Sequence, residues 1–407
     1  MKPIGALLLV ALLQVPVTGS WSPVTAQAEP GAELTVSLLT FDPGCRVWER
    51  FGHNAIWLHD ASKGSDALYD YGRFSFQRPH FILRFIQGRM WYSMGLESNV
   101  AGVVAAYAAQ GRKIWMQELD LTPTQRARLR EFLEWNIQPE HAEYFYDYYR
   151  DNCSTRIRDA IDSVLGGAIR RYAGTGSGMT WRDETRRLNQ HNAALNAGLL
   201  VALGRPVDAE MSRWEQMFLP MRLRQHLDSV QVSGADGIAR PLVKSERVVA
   251  AGGRWPVPER PANWLWGYLL TGLVAGAVLV ALGRSVAFLP LAMLWALLVS
   301  VLGGLLAWFW IFSRHVATYR NENLFPLNVL AVGLLVALGA VALRRGWGLR
   351  VARRCAGLLT GMAGLGLLLK LVPWFRQHNL EILLLALPVH AGLWLGLRRR
   401  ATASAPS

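Results

Sequence analysis

Cysteine is scarce in this chain: three occur in 407 residues, at positions 45, 153 and 355. So few exclude a disulfide-knit scaffold and a zinc cluster built on cysteine thiolates, and they allow at most one internal bridge. Acidic residues are also short, 29 Asp and Glu against 43 Lys and Arg, which leaves a formal net charge of +14. Such a balance can mark a nucleic-acid partner, but no basic-aromatic recognition module accompanies it, so nucleic acid is not an expected partner. Much of the charge instead flanks apolar runs. Past a short N-terminal leader, the front half has no apolar run of membrane length, and the back half has little else.

The leader carries Lys2, an apolar stretch from Ile4 to Leu13 and the small-x-small triplet Ala26-Gln27-Ala28. It reads as a signal peptide over residues 1–28, cleaved before Glu29, with an uncleaved anchor as the alternative. Residues 29–255 then form an exported domain, and a Pro-rich linker over 256–263 leads to a membrane part over 264–400 and a cytoplasmic tail over 401–407. Five spans are expected: Trp264–Gly283, Val286–Phe312, Leu324–Leu343, Cys355–Val372 and Leu380–Leu397. An odd number returns the chain to the cytoplasm. That topology puts Arg284, Arg344, Arg345, Arg350, Arg353, Arg354 and Arg398 to Arg400 inside, against Arg314, Arg320, Lys370 and Arg376 outside, as the positive-inside rule requires.

Cys153 is the most informative single residue. It follows Asp151-Asn152, and Ile157, Ala160, Ile161 and Val164 recur behind it at helical spacing, so Asn152 or Asp151 can cap a helix that starts at the thiol. A helix start favours thiolate and offers backbone donors to an oxyanion, with the Cys153 and Ser154 amides as first candidates and Asn152 or Tyr71 behind them. About a hundred residues earlier His53 begins a strand. A hairpin turning near residues 62 and 63 brings His53 opposite the segment Asp70 to Gly72, so Asp70 either orients the imidazole or faces solvent. Arg156 either contacts a phosphate or secures its helix by an ion pair. In the outer loop, His315, Arg320, Asn321 and Asn323 either hold a lipid phosphate or are ordinary snorkelling polar residues. No metal site or cofactor is expected, because His53, His59 and Asp60 lack the ligand set zinc needs.

The order of His on a strand followed by Asn-Cys at a helix start reverses that of papain-like enzymes. It resembles the circularly permuted NlpC-like and lecithin:retinol-acyltransferase-like branch of that fold. Further segments sharpen the likeness: Phe51-Gly52-His53-Asn54-Ala55, Tyr69 to Phe74, Asn152 to Asp159, Met217-Phe218-Leu219-Pro220, and His315, Thr318, Asn321, Glu322, Asn323 and Leu324 in the membrane part. Together, from about Glu33 to the last span, they resemble Lnb-type bacterial lipoprotein N-acyltransferases. Asp70 stands where that family more often has asparagine, and Asn328 where it more often reads Asn-Pro.

The resemblance implies an α+β, permuted papain-like exported domain followed by an all-α membrane domain. It also implies acyl transfer from a phospholipid, through Cys153, to the N-terminal amine of a lipoprotein at the bacterial inner membrane. Two other readings remain at this point. One is a Cys-His amidase or peptidase acting on cell-wall peptides; the other is a non-enzymatic membrane scaffold in which Cys45 and Cys153 form a disulfide.

Overall fold

A computed structural model of the chain describes residues 29–174, 176–234, 236–253 and 257–403. The leader expected over residues 1–28 lies outside the described residues, as do the first linker residue and the last four of the tail. The chain divides into a sheet-rich front and a helical back.

The front is built on a seven-stranded antiparallel sheet: β1 (Leu34–Phe41), β2 (His53–Asp60), β3 (Ser65–Arg73), β4 (Trp91–Glu97), β5 (Ile114–Leu119), β6 (Glu143–Phe145) and β7 (Val243–Ala250), in the order β7-β5-β1-β2-β3-β4-β6. The interior strand β1 reads Leu-Thr-Val-Ser-Leu-Leu-Thr-Phe because both its faces are covered. Val36 and Leu38 join one core with Leu129 and Leu133 of α3 (Pro123–Asn136) and Ile157 and Ile161 of α4 (Cys153–Val164). Leu39 and Phe41, one residue out of phase, join a second core with Val100 and Tyr107 of α2 (Val100–Ala109).

The β2–β3 hairpin pairs Asp60 with Ser65 and Ala55 with Asp70. Its turn is fixed by Asp60, whose carboxylate accepts hydrogen bonds from the Ser62 amide at 3.0 Å and the Ser62 hydroxyl at 2.6 Å. The register therefore matches the one expected from sequence.

Behind the sheet, α5 (Trp181–Asn189) and α6 (Ala193–Ala202) are held by buried ions. Arg182 makes a paired contact to Asp208 at 2.7 and 3.0 Å, and Glu184 accepts from Arg187, Arg222 and Gln216. Each charge is matched, as burial demands.

Among the described residues, four helices, all in the back half, are long and apolar enough to cross a bilayer: α7 (Leu265–Ala281, continuing to Arg284), α8 (Phe288–Phe312), α10 (Gly348–Leu368, continuing to Leu371) and α11 (Leu380–Ala403). The helix between them, α9 (Ala331–Ala342), has 12 residues. At 1.5 Å per residue it covers about 18 Å, short of the roughly 30 Å hydrocarbon core. The expected span Leu324–Leu343 is thus helical only in its second part. Pro326, which cannot donate, and Asn328, whose Oδ1 accepts from the Leu330 amide, stand where a continuous helix would need regular backbone. The irregular piece is buried by protein. His390 of α11 donates from Nε2 to the Pro326 carbonyl at 2.9 Å and accepts at Nδ1 from Trp295 at 3.3 Å. At Gly303 of α8 a Cβ would lie 2.6 Å from the Asn328 backbone, so only glycine allows that approach. Irregular backbone at membrane depth is tolerated where protein covers it in this way.

Candidate active site

Three elements deliver the site. Asn152 caps α4: its Oδ1 accepts from the Ser154 and Thr155 amides at 2.9 and 3.0 Å, and its Nδ2 donates to the Tyr148 and Phe218 carbonyls, both at 2.9 Å. Thr155 returns the cap by accepting from the Asn152 amide at 2.8 Å. Cys153 is the first residue of the helix, free and half-buried. Across from it the glycine at position 72 takes φ +98°, and a Cβ there would lie 3.6 Å from the Cβ of Cys153. The positive φ marks the irregularity in β3 between Tyr71 and Arg73, and the glycine there packs against Cys153.

His53 opens β2, two residues before the Ala55–Asp70 pair, so its ring meets Asp70 diagonally across the hairpin. Nε2 donates to Asp70 Oδ2 at 3.1 Å, which leaves Nδ1 unengaged by the carboxylate, and Cys153 is near enough to act on the imidazole's charge. Burial pulls the imidazole pKa down, but Tyr107, Cys153 and Asp70 outweigh it and hold the value well above 6.5. Asp70 shows the opposite balance. Burial would raise its pKa, yet hydrogen bonds from His53 and from Arg73, at 2.8 Å, hold it below the usual carboxylate range. Arg73 is itself anchored to Glu97 at 2.9 Å. The ring of Tyr107 lies parallel to His53 at 6.3 Å.

Several expected site residues have their polar groups engaged elsewhere. The Ser154 amide is bonded to the Asn152 cap, and its hydroxyl donates to the Met217 carbonyl at 2.7 Å. Asn152 has both ends of its side chain in use. Tyr71 donates to Asn136 at 2.6 Å. The Cys153 amide, first in the helix, has no intrahelical acceptor and remains the backbone donor nearest the sulfur. Arg156 forms a two-point pair with Asp151 at 2.6 and 2.8 Å and lies 3.7 Å over the Tyr144 ring, so it fastens its helix. The cysteines at 45, 153 and 355 are all free, and the Cys45–Cys153 bridge of the scaffold reading is not formed.

Sequence reasoning did not single out Arg73, Tyr107 or the hydroxyl of Tyr148. That hydroxyl is buried with no hydrogen-bond partner among the described residues, and burial and neighbouring tyrosines hold it protonated. Tyr107 carried a weak signal in being the one aromatic residue of α2, but its contact depends on how α2 packs.

The outer loop behaves differently. Asn321 donates to the Val201 and Ala202 carbonyls at 2.8 and 3.0 Å, and Asn323 to those of Leu200 and Val201 at 2.8 and 3.0 Å. Both therefore bind the open end of α6 in the sheet domain. His315 donates to the Phe85 carbonyl at 2.6 Å. Glu381 of α11 accepts from Arg186 at 2.7 Å. Arg320, in the left-handed region at φ +50°, and Asn321 line a cavity of about 530 Å³ together with Arg205, Trp310, Phe325 and Trp374.

These features define a Cys-His domain hydrogen-bonded to one end of a bundle of helices apolar enough to cross a membrane. Residues 24–187 match the family model of the Lnb N-terminal periplasmic domain, so this stretch of the chain is similar to the periplasmic part of the Lnb-type family. No curated protein and no solved structure matches the chain.

Proposed function

We propose that this protein is a membrane-bound thiol acyltransferase that moves an acyl chain from a phospholipid, through a Cys153 thioester, to the N-terminal amine of a bacterial lipoprotein. The observation that carries this reading is the placement of Cys153 at the capped start of α4, against a His53–Asp70 pair, in a domain fastened to membrane helices. A soluble substrate would not require that attachment.

His53 accepts the thiol proton, and the Cys153 sulfur attacks the ester carbonyl of the lipid. The Cys153 amide and the Tyr148 hydroxyl are the donors we assign to the oxyanion. As the C–O bond breaks, the imidazolium returns its proton to the departing lysolipid oxygen. The acceptor amine then attacks the thioester and gives its proton to His53 as the thiolate leaves. Asp70, held ionised, keeps the imidazole oriented and stabilises its charged form throughout.

The same reading makes the front a permuted papain-like fold, since the thiol helix packs on the strand that carries the base. It also makes residues 322–342 a fifth crossing, half irregular and half α9, which returns the C-terminus to the cytoplasmic side of the inner membrane. The chain geometry is consistent with this. Arg399 and Arg400 donate to the carbonyls of Val280 and Ser285 at the far end of α7, away from the sheet domain.

Expression in cells depleted of their own lipoprotein N-acyltransferase, followed by mass spectrometry of lipoprotein N-termini, tests the proposal. Triacylated termini that vanish with Cys153→Ala are expected. Triacylation that survives the substitution would remove Cys153 from the mechanism, and none with the wild-type chain would favour hydrolysis of wall peptides.

A further inference from the structure

The helix α1 (Phe81–Gln87) reads Phe-Ile-Leu-Arg-Phe-Ile-Gln, and none of its residues is buried. Ile82 is 73 % exposed, Leu83 50 % and Phe85 53 %, and beside them Trp48 and Phe76 are more than half exposed. Three apolar side chains of α1 with Trp48 and Phe76 beside them form an exposed face that something must cover.

The structure fixes where that face lies. The C-terminal end of α1 is hydrogen-bonded to the outer end of span α8: Ser313 Oγ donates to the Ile86 carbonyl at 2.8 Å, the Arg314 amide to Gln87 at 2.9 Å and His315 to Phe85. At Gly88 a Cβ would come within 3.0 Å of the His315 backbone, so the two segments are in close contact. The apolar face of α1 continues into Ile311 and Phe312, themselves exposed on the last turn of the span. Arg84 within α1, Arg89 just after it and Arg314 just after the span add positive charge near this face, which would attract anionic headgroups.

From this face a line of rings runs inward. Trp48 meets Phe76 at 5.5 Å, Phe76 meets Phe81 at 4.8 Å and Phe74 at 5.0 Å, Phe74 meets Tyr92 at 5.1 Å, and Tyr92 stacks on Tyr146 at 4.1 Å. Tyr92 and Tyr146 pack in the same cluster as Cys153.

We infer that α1, with Trp48 and Phe76, dips into the outer leaflet of the same bilayer, and that the ring line from Phe76 to Tyr146 is the track along which a phospholipid acyl chain reaches Cys153. The occupant of the face is lipid, because the face is continuous with the lipid-facing end of a span. The track part of the inference rests on the reading of Cys153 as acyl carrier; the dip does not.

The test has two arms, both on the full chain in nanodiscs of phosphatidylethanolamine and phosphatidylglycerol. In a Cys45→Ser, Cys153→Ala, Cys355→Ala background, a nitrobenzoxadiazole label on Ile82→Cys should be quenched by brominated acyl chains, and a label on Lys63→Cys in the distant hairpin turn should not. Absence of quenching at position 82 would overturn the dip and leave a protein partner as the cover. In the second arm, thioester formation at Cys153 is compared for the bilayer phospholipid and for p-nitrophenyl butyrate. The double variant Ile82→Asp, Phe85→Asp should lose at least tenfold more rate on phospholipid than on the soluble ester. Equal loss on both would overturn the track, since those residues would then act on the site and not on lipid entry. A wild-type chain that forms no thioester with either ester contradicts the acyl-carrier reading, while the quenching arm still decides the dip.

Discussion

His53 is tied through Nε2 to Asp70 and is electrostatically coupled to the thiol of Cys153, whereas His315, at the end of a span, gives its Nε2–H to a backbone carbonyl of α1. The asparagines differ likewise. Asn152 caps the helix that presents Cys153, and Asn321 and Asn323 close the end of a helix from another part of the chain. The two regions thus use the same residue types for different ends. Around Cys153 the polar groups order the helix start that carries the thiol and the His53–Asp70 pair beside it; along the outer loop they are consumed pairwise in holding the sheet domain to the membrane helices. Substitutions in the first region should therefore cost chemistry, and in the second they should cost attachment.

The largest effects belong to the sulfur. Cys153→Ala should abolish acyl release from liposomal phospholipid, and His53→Ala should lower it by roughly 10²- to 10⁴-fold, with the circular dichroism spectrum unchanged. Asp70→Asn should follow, with a smaller rate loss and a downward shift of the His53 titration followed by NMR. Its sign follows from the balance of causes: burial alone lowers the imidazole pKa, and Asp70 is one of the groups that reverse it. The stability contributed by the charged imidazole is full below about pH 6.5 and is lost as pH rises through the elevated folded value. That of Asp70 is present above about pH 3.9 and is lost as pH falls through its depressed value. A His53 titration that does not move in Asp70→Asn would break the contrast on the catalytic side.

How far these roles were legible in the sequence follows the same division. The His53–Asp70 pairing could be read because a hairpin turn between residues 60 and 65 fixes register, and register fixes which face each side chain takes. The Asn152 cap was readable for a similar local reason, with Asp151 as its alternative. Asn321 and Asn323 were not, because their partners are carbonyls some 120 residues away. The short α9 was masked by hydropathy, which scores Leu324 to Leu343 as one apolar run and takes no account of the missing donor of Pro326. The edge strand β7 is exposed along most of its length and shows no clean alternation, so nothing in its pattern announced it.

The next effects in size are structural. Asn152→Ala should destabilise the sheet domain by about 2 kcal/mol in thermal unfolding, since it removes a cap on a buried helix start. Asn323→Ala should cost about 1 to 3 kcal/mol by stranding buried carbonyls, and should show as faster proteolysis between α6 and the outer loop. If Asn323→Ala instead removed thioester formation with attachment intact, the outer loop would belong to the site and the comparison would fail. Arg156→Gln should have the smallest effect, within about 1 kcal/mol, because its partner Asp151 is partly exposed.

The most direct measurement is mass spectrometry of the intact protein after incubation with liposomes of a single phospholipid at mildly acidic pH. The mass is predicted to rise by one acyl chain, on the peptide containing Cys153, in a form released by hydroxylamine and absent from Cys153→Ala. An acyl adduct elsewhere, or lipoprotein N-acylation proceeding with no adduct and undiminished in Cys153→Ala, would contradict the account.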